Sequence, residues 1–191
     1  MYYTNIQNAF KEFNNDIEDI KKEIEEYFKI NYEGNINLNY DVIEVCEGKF
    51  FACVDDNNTV KFNLKFINEG YTCLFNKIST INPENPMILE YVIKILLNCL
   101  LVHESYHFYY KVYRYEEYIE LKNKDDGKIF RKDKELEVLA DNFMVDFMND
   151  KGSLYHMIAK LSEKFNQMNY DDYTIDDRIY DIFSEVNNLY T

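Results

Sequence analysis

Apolar residues recur at helical spacing across residues 4–30, at Ile6, Phe10, Phe13, Ile17, Ile20, Ile24, Tyr27 and Phe28, with charged residues on the opposite face. The pattern predicts one N-terminal helix, ended by Gly34 and packed on the body of the domain, with a partner-binding helix as the alternative. Over 36–76 the period changes to two. Val60, Phe62, Leu64 and Phe66 alternate with Lys61, Asn63 and Lys65, and Ile36, Leu38, Tyr40 and Val42 alternate in the same way. Turn residues at Glu47-Gly48, Asp55-Asp56-Asn57-Asn58 and Glu69-Gly70 divide the stretch. Three or four short antiparallel strands joined by hairpins are expected, and an exposed edge among them could hold an extended peptide.

A long helix is expected from residue 86 into the 110s, reaching Lys122 at the furthest, with Asn85 as N-cap and Pro86 in the first turn. Residues 122–134 are polar, contain Gly127 and read as a surface loop; their charge run is a solvated connection or the rim of a cleft. A second helix over 134–150 carries an apolar stripe of Leu136, Leu139, Ala140, Phe143, Met144 and Phe147 and is broken by Gly152. Two further helices are predicted near 153–167 and 175–190. The fold class that follows is α+β: a small antiparallel sheet packed with a helical core, in a single domain over 1–191. Its parts are an N-terminal helix (1–30), strands (36–76), two central helices (86–150) and C-terminal helices (153–190).

Composition narrows the function. A net charge of −14 argues against non-specific binding to nucleic acid or to an anionic membrane, and would suit a basic partner or substrate. Cys46, Cys53, Cys73 and Cys99 form no C-x-x-C and have no His at zinc-finger spacing, so buried free thiols in a reducing compartment are expected. The first residues lack the basic-then-apolar layout of a signal peptide, and the most apolar run, 87–102, is short and interrupted by Glu90, Lys94 and Asn98. A cytoplasmic protein is expected.

The candidate chemistry lies on the long helix. His103-Glu104-Ser105-Tyr106-His107 spells H-E-x-x-H and holds two of the chain's three histidines. Four residues apart on a helix, both rings share a face about one turn apart, where they can bind one zinc ion while Glu104 takes the proton of an attacking water. Val92, Leu96 and Cys99 fall within about 40° of His103 at roughly 100° per residue, so the His face points into the core. Two imidazoles leave zinc short of a third protein ligand. The helix over 134–150 offers Glu137 and Asp141, four apart on one face, so that one carboxylate can bind metal while the next accepts the outer N–H of a ligand His. Alone, that pair would be a solvated acidic face; after H-E-x-x-H it reads as Glu137 for ligand and Asp141 for orientation, with Glu135 facing solvent. His156 could donate a hydrogen bond to an oxyanion, although a lone His is more often a satisfied core or surface residue. For Tyr106, Tyr109, Tyr110 and Tyr113, crowded around the motif, packing is the default role.

An H-E-x-x-H helix, some thirty residues of connection and then E-x-x-A-D-x-F on a second helix resembles the ImmA/IrrE metallopeptidases, through His103, Glu104 and His107, then Glu137, Ala140, Asp141 and Phe143. The resemblance covers roughly residues 60–150. It implies a zincin-like helical core, zinc held by His103, His107 and Glu137, and Glu104 as catalytic base. It also implies a protein substrate, with a helix-turn-helix repressor as the partner to look for. The chain departs from the family pattern at Tyr106, at Met144 and over 145–149, and none of these removes a ligand. The competing expectation is a non-catalytic, element-encoded binding module in which zinc is structural or absent.

Overall fold

A computed structural model describes residues 2–32, 35–72, 75–76, 79, 86–128 and 133–150. The predicted C-terminal helices, His156, Cys73, Asn85, Gly34 and Gly152 lie outside the described residues. The architecture is α+β, as the pattern predicts, with six helices and a three-stranded sheet among the described residues. No helix among these residues is long and apolar enough to cross a membrane.

The N-terminal pattern forms two helices rather than one, α1 (Tyr3–Asn15) and α2 (Ile17–Asn31). The break falls at Asp16, after Asn14 and Asn15. These are poor helix formers whose short polar side chains compete for backbone groups, and the Asp16 carboxylate is drawn out to Lys94. The apolar spacing survives the break. Ile6, Ala9 and Phe13 of α1 and Ile24, Tyr27 and Phe28 of α2 are buried in one core.

The sheet differs from the expectation in topology. Strands β1 (Asp41–Val45), β2 (Ala52–Val54) and β3 (Thr59–Asn63) lie in the order β1-β3-β2. Only β2 and β3 form the expected antiparallel hairpin, with Ala52 opposite Phe62 and Val54 opposite Val60. β1 runs parallel to β3, Asp41 opposite Thr59 and Val45 opposite Asn63. The hairpin turn is set by Asp55, whose Oδ1 accepts the amides of Asn57 (2.8 Å) and Thr59 (2.9 Å), with Asn58 at φ 57°. The crossover from β1 passes Gly48 at φ 100°, and Asn63 Nδ2 donates to the carbonyls of Glu47 (3.2 Å) and Gly48 (3.0 Å). The same Asn63 ends β3: its Oδ1 accepts the Phe66 amide at 3.0 Å and caps α3 (Leu64–Gly70). Leu64 and Phe66 therefore belong to a helix, not to the strand their alternation suggests. Ile36, Leu38 and Tyr40 alternate inward as expected, but as an extended segment before β1 rather than as part of a strand.

The long helix α4 (Pro86–Tyr113) is the axis of the fold, packed by α1, α2, β2 and the two later helices. Its apolar residues cover most of its circumference, as suits a helix packed by several elements. Even the polar face opposite His103 is used: Glu90 accepts from Asn5 and Asn8, and Lys94 pairs with Asp16. α4 stops at Arg114 (φ −130°, ψ 43°), and α5 (Tyr115–Asp125) begins a new direction, so the helix does not run on unbroken to Lys122. α6 (Glu135–Asp150) matches the predicted second helix and packs against α4 and α5. Among the cysteines, Cys99 is half-buried with its thiol pushed up to about 12 by burial, Cys53 is half-buried on β2, and Cys46 is exposed, against the expectation of burial.

Candidate metal centre

The H-E-x-x-H turn sits at the buried middle of α4, where His103 is 3% exposed and Glu104 6%. Its two intervening residues anchor it. Ser105 Oγ donates to the Leu101 carbonyl at 2.7 Å, and having one proton it accepts from the Tyr40 hydroxyl at 2.8 Å. Tyr106, where the resembled family differs, is 4% exposed and packs on Phe143 of α6 with ring centroids 4.9 Å apart. Tyr109 and Tyr110 also pack in this aromatic layer. Tyr113 is more exposed and donates to the Asn37 carbonyl. The tyrosines of the motif region are thus structural, while Tyr118 of α5, not singled out by the sequence, lines the cleft beside the site.

α6 brings its acidic face to the two histidines. His103 Nε2 and His107 Nε2 are 2.9 Å apart, and Glu137 oxygens lie 3.4 Å from the first and 3.6 Å from the second. Two donors about 2.1 Å from one tetrahedral ion stand about 3.4 Å apart; the two Glu137 separations match this, while the two ring nitrogens lie closer, at hydrogen-bond distance. The three residues form a group able to hold a metal ion, and no fourth His, Cys, Asp or Glu donor joins them among the described residues. Asp141, one turn on, takes His103 Nδ1–H at 2.9 Å. That bond fixes the tautomer, leaving the His103 Nε2 lone pair aimed at the other donors. Burial opposes ionisation of Glu137, but the two histidines beside it outweigh this and hold its carboxyl well below the usual carboxylate range. Glu135, by contrast, is exposed.

Because Asp141 orients His103 by taking its Nδ1–H, Asp141→Asn is expected to keep the fold and weaken metal affinity, tested with zinc, by about 10- to 100-fold. Competition against a chelating dye measures this, and unchanged affinity would remove Asp141 from the site.

The cleft that exposes this group measures about 860 Å³. Glu104 lines it, and among the described residues no hydrogen bond or ion pair engages the Glu104 carboxylate. β2 forms one wall through Ala52, Cys53 and Val54, and its outer edge pairs with no strand among the described residues. Burial, with Glu104 nearby, raises the Cys53 pKa, which keeps that residue a neutral thiol. From the stretch expected as a loop, Lys122, Asp125, Asp126, Gly127, Lys128 and Lys134 supply the opposite rim, with Lys122 and Asp125 still helical in α5.

Asp125 has a role that the sequence did not disclose. Its Oδ1 accepts the Glu135 amide at 2.8 Å, its Oδ2 accepts the Leu136 amide at 3.0 Å, and Lys128 Nζ lies 2.8 Å from Oδ1. One carboxylate at the end of α5 thus caps the start of α6 two residues before Glu137. Burial works to raise the Asp125 pKa, but Lys128 and the two amides together lower it. A carboxyl depressed in the folded state contributes stability above its unfolded pKa of about 3.9, and this is lost as pH falls through the lower folded value. Asp125→Ala should cost about 1–2 kcal/mol. The drop in thermal midpoint between about pH 5 and about pH 3 should be smaller in Asp125→Asn than in wild type. Equal drops would show that the cap contributes nothing.

The arrangement brings together three donors able to hold a metal ion, an imidazole oriented by Asp141 and a buried carboxylate, Glu104, lining the same cleft. No model of a known protein family matches the chain, and no curated protein or solved structure matches it.

Proposed function

We propose that the protein is a zinc-dependent endopeptidase. The observation that carries this reading is the convergence of His103 Nε2, His107 Nε2 and the Glu137 carboxylate within 4.8 Å of one another, beside Glu104, which lines the cleft and has no hydrogen-bond or ion-pair partner among the described residues. A structural zinc site closes its coordination with four protein donors, whereas a catalytic one keeps a position open. The three-donor group, opening on a cleft, supports the second kind over a purely structural or binding role. A bound zinc ion would supply Lewis acidity, acidifying water and polarising a carbonyl.

The chain's own residues do the rest. Asp141 holds His103 in the ligating tautomer, and Asp125 fixes the start of the helix that presents Glu137. Glu104 accepts the proton of the attacking water and returns it to the leaving amine. Hydrolysis then consumes one water and one peptide bond, releasing a carboxylate and an amine. The outer edge of β2, which pairs with no strand among the described residues, offers backbone groups to an extended substrate. The resemblance of the two site helices to ImmA/IrrE metallopeptidases extends the reading to a site-specific regulatory enzyme, with a helix-turn-helix repressor as its first protein substrate to try.

The test is a quenched fluorogenic peptide library incubated with zinc-loaded protein. Cleavage suppressed by a chelator and restored by added zinc supports the reading. Zinc-bearing protein that leaves the library and denatured protein substrates intact contradicts it.

A further inference from the structure

The overall charge of −14 suits a basic substrate, but the cleft has a different composition. Five lysines line it: Lys49 from the β1–β2 crossover, Lys111 from α4, Lys122 from α5, Lys128 from the turn after α5, and Lys134 at the approach to α6. Two are engaged, Lys111 with the Asp55 carbonyl and Asp56, and Lys128 with Asp125. Lys49, Lys122 and Lys134 pair with no carboxylate among the described residues; Lys122 lies over the Tyr118 ring at 5.7 Å from its centroid. Four carboxylates share the lining. Glu104 and Glu137 belong to the metal centre, Asp125 is held by two amides and Lys128, and Asp126 is exposed. A divalent cation at the centre would offset the first two. Three uncommitted ammonium groups against one uncommitted carboxylate, Asp126, leave a positive excess facing a bound chain, drawn from three separate elements around the metal centre.

From this we infer that the cleft takes an acidic peptide segment, with Glu or Asp side chains flanking the bond presented to the site. Three ammonium groups around an open cleft match carboxylates carried at intervals on an extended chain, where successive side chains alternate about every 3.3 Å along the strand. The acidic exterior repels such a chain elsewhere on the surface, so that favourable field is confined to the cleft. Nucleic acid fits less well. A polyanion must also approach the −14 body, and three phosphate contacts give little affinity at physiological salt.

The claim that the bound segment is cut rests on the peptidase reading; the claim that it binds does not. The test therefore measures binding to the zinc-loaded full-length Glu104→Gln variant, using three labelled peptides about ten residues long that differ only in carrying Glu, Gln or Lys at alternate positions. The Glu peptide is expected to bind about tenfold tighter than the Gln peptide near 0.05 M salt, a preference collapsing towards 1 M as screening shortens to about 3 Å. The Lys49→Gln, Lys122→Gln, Lys134→Gln triple variant should lose that preference while keeping its zinc. Equal binding of the three peptides, no binding by any, or tighter binding of a single-stranded oligonucleotide at the same site overturns the inference. Acidic-peptide binding without cleavage by wild type would remove the peptidase reading and leave this one standing. Cleavage without charge preference would do the reverse.

Discussion

Glu104→Gln is expected to keep its zinc and lose cleavage by a factor of about 10² to 10⁴ in kcat, the range a general acid–base group contributes. At about 1.4 kcal/mol per tenfold, that is roughly 3–6 kcal/mol of barrier. The reasons are local. Glu104 is on the same turn as two proposed ligands but is not one of the three converging donors. It is 6% exposed yet lines the cleft, and its carboxylate has no protein partner among the described residues. Gln preserves its size and its packing, so the loss falls on proton transfer alone. Parallel measurement of bound zinc and of turnover on a cleaved peptide checks this. Full activity with zinc retained would remove Glu104 as the base, and loss of zinc would show that it contributes to the metal site itself.

Phe143→Ala should be the most damaging change outside the site, at about 3–5 kcal/mol. Phe143 is 2% exposed and joins α6 to the rest of the core. Its ring stacks on Phe28 at 4.5 Å and 21°, and meets Tyr106 at 4.9 Å, Tyr27 at 5.5 Å and Tyr32 at 5.8 Å. No neighbour can fill the void without leaving its own contacts, so the cavity cost adds to the lost burial. Against a total stability of about 5–15 kcal/mol, the loss is large. Urea unfolding followed by circular dichroism should show a lowered midpoint at unchanged slope. A shift under 1 kcal/mol, set against the cavity range, would mean that α6 is not held by this ring.

The candidate site was legible because helical periodicity ties residue spacing to direction. Val92, Leu96 and His103 share a face by arithmetic, and the structure buries all three. Glu137 and Asp141 were legible for the same reason, and α6 sets one beside both histidines and the other on His103 Nδ1. What the sequence did not disclose depends on pairing across space. Alternation at Ile36, Leu38 and Tyr40 tells which face is buried but not which strand lies alongside, so the parallel β1–β3 register was not readable. Leu64 and Phe66 fit period two as well as the first turn of a helix, and the deciding group was the side chain of Asn63. Asp125 was one acid in a charge-rich stretch; its role appears only when the amides of Glu135 and Leu136 come to meet it. The cleft lysines were hidden in the same way, since summed charge says nothing about where charges gather.

The most direct test of the whole account is the metal content of purified protein, measured by mass spectrometry for wild type, His103→Ala and Glu137→Ala. About one zinc per chain is expected in wild type and almost none in either variant, because two remaining donors hold the ion too weakly. A wild-type chain that takes up no zinc even after reconstitution, or a Glu137→Ala chain that holds it as tightly as wild type, would contradict the three-donor centre on which the proposed activity rests.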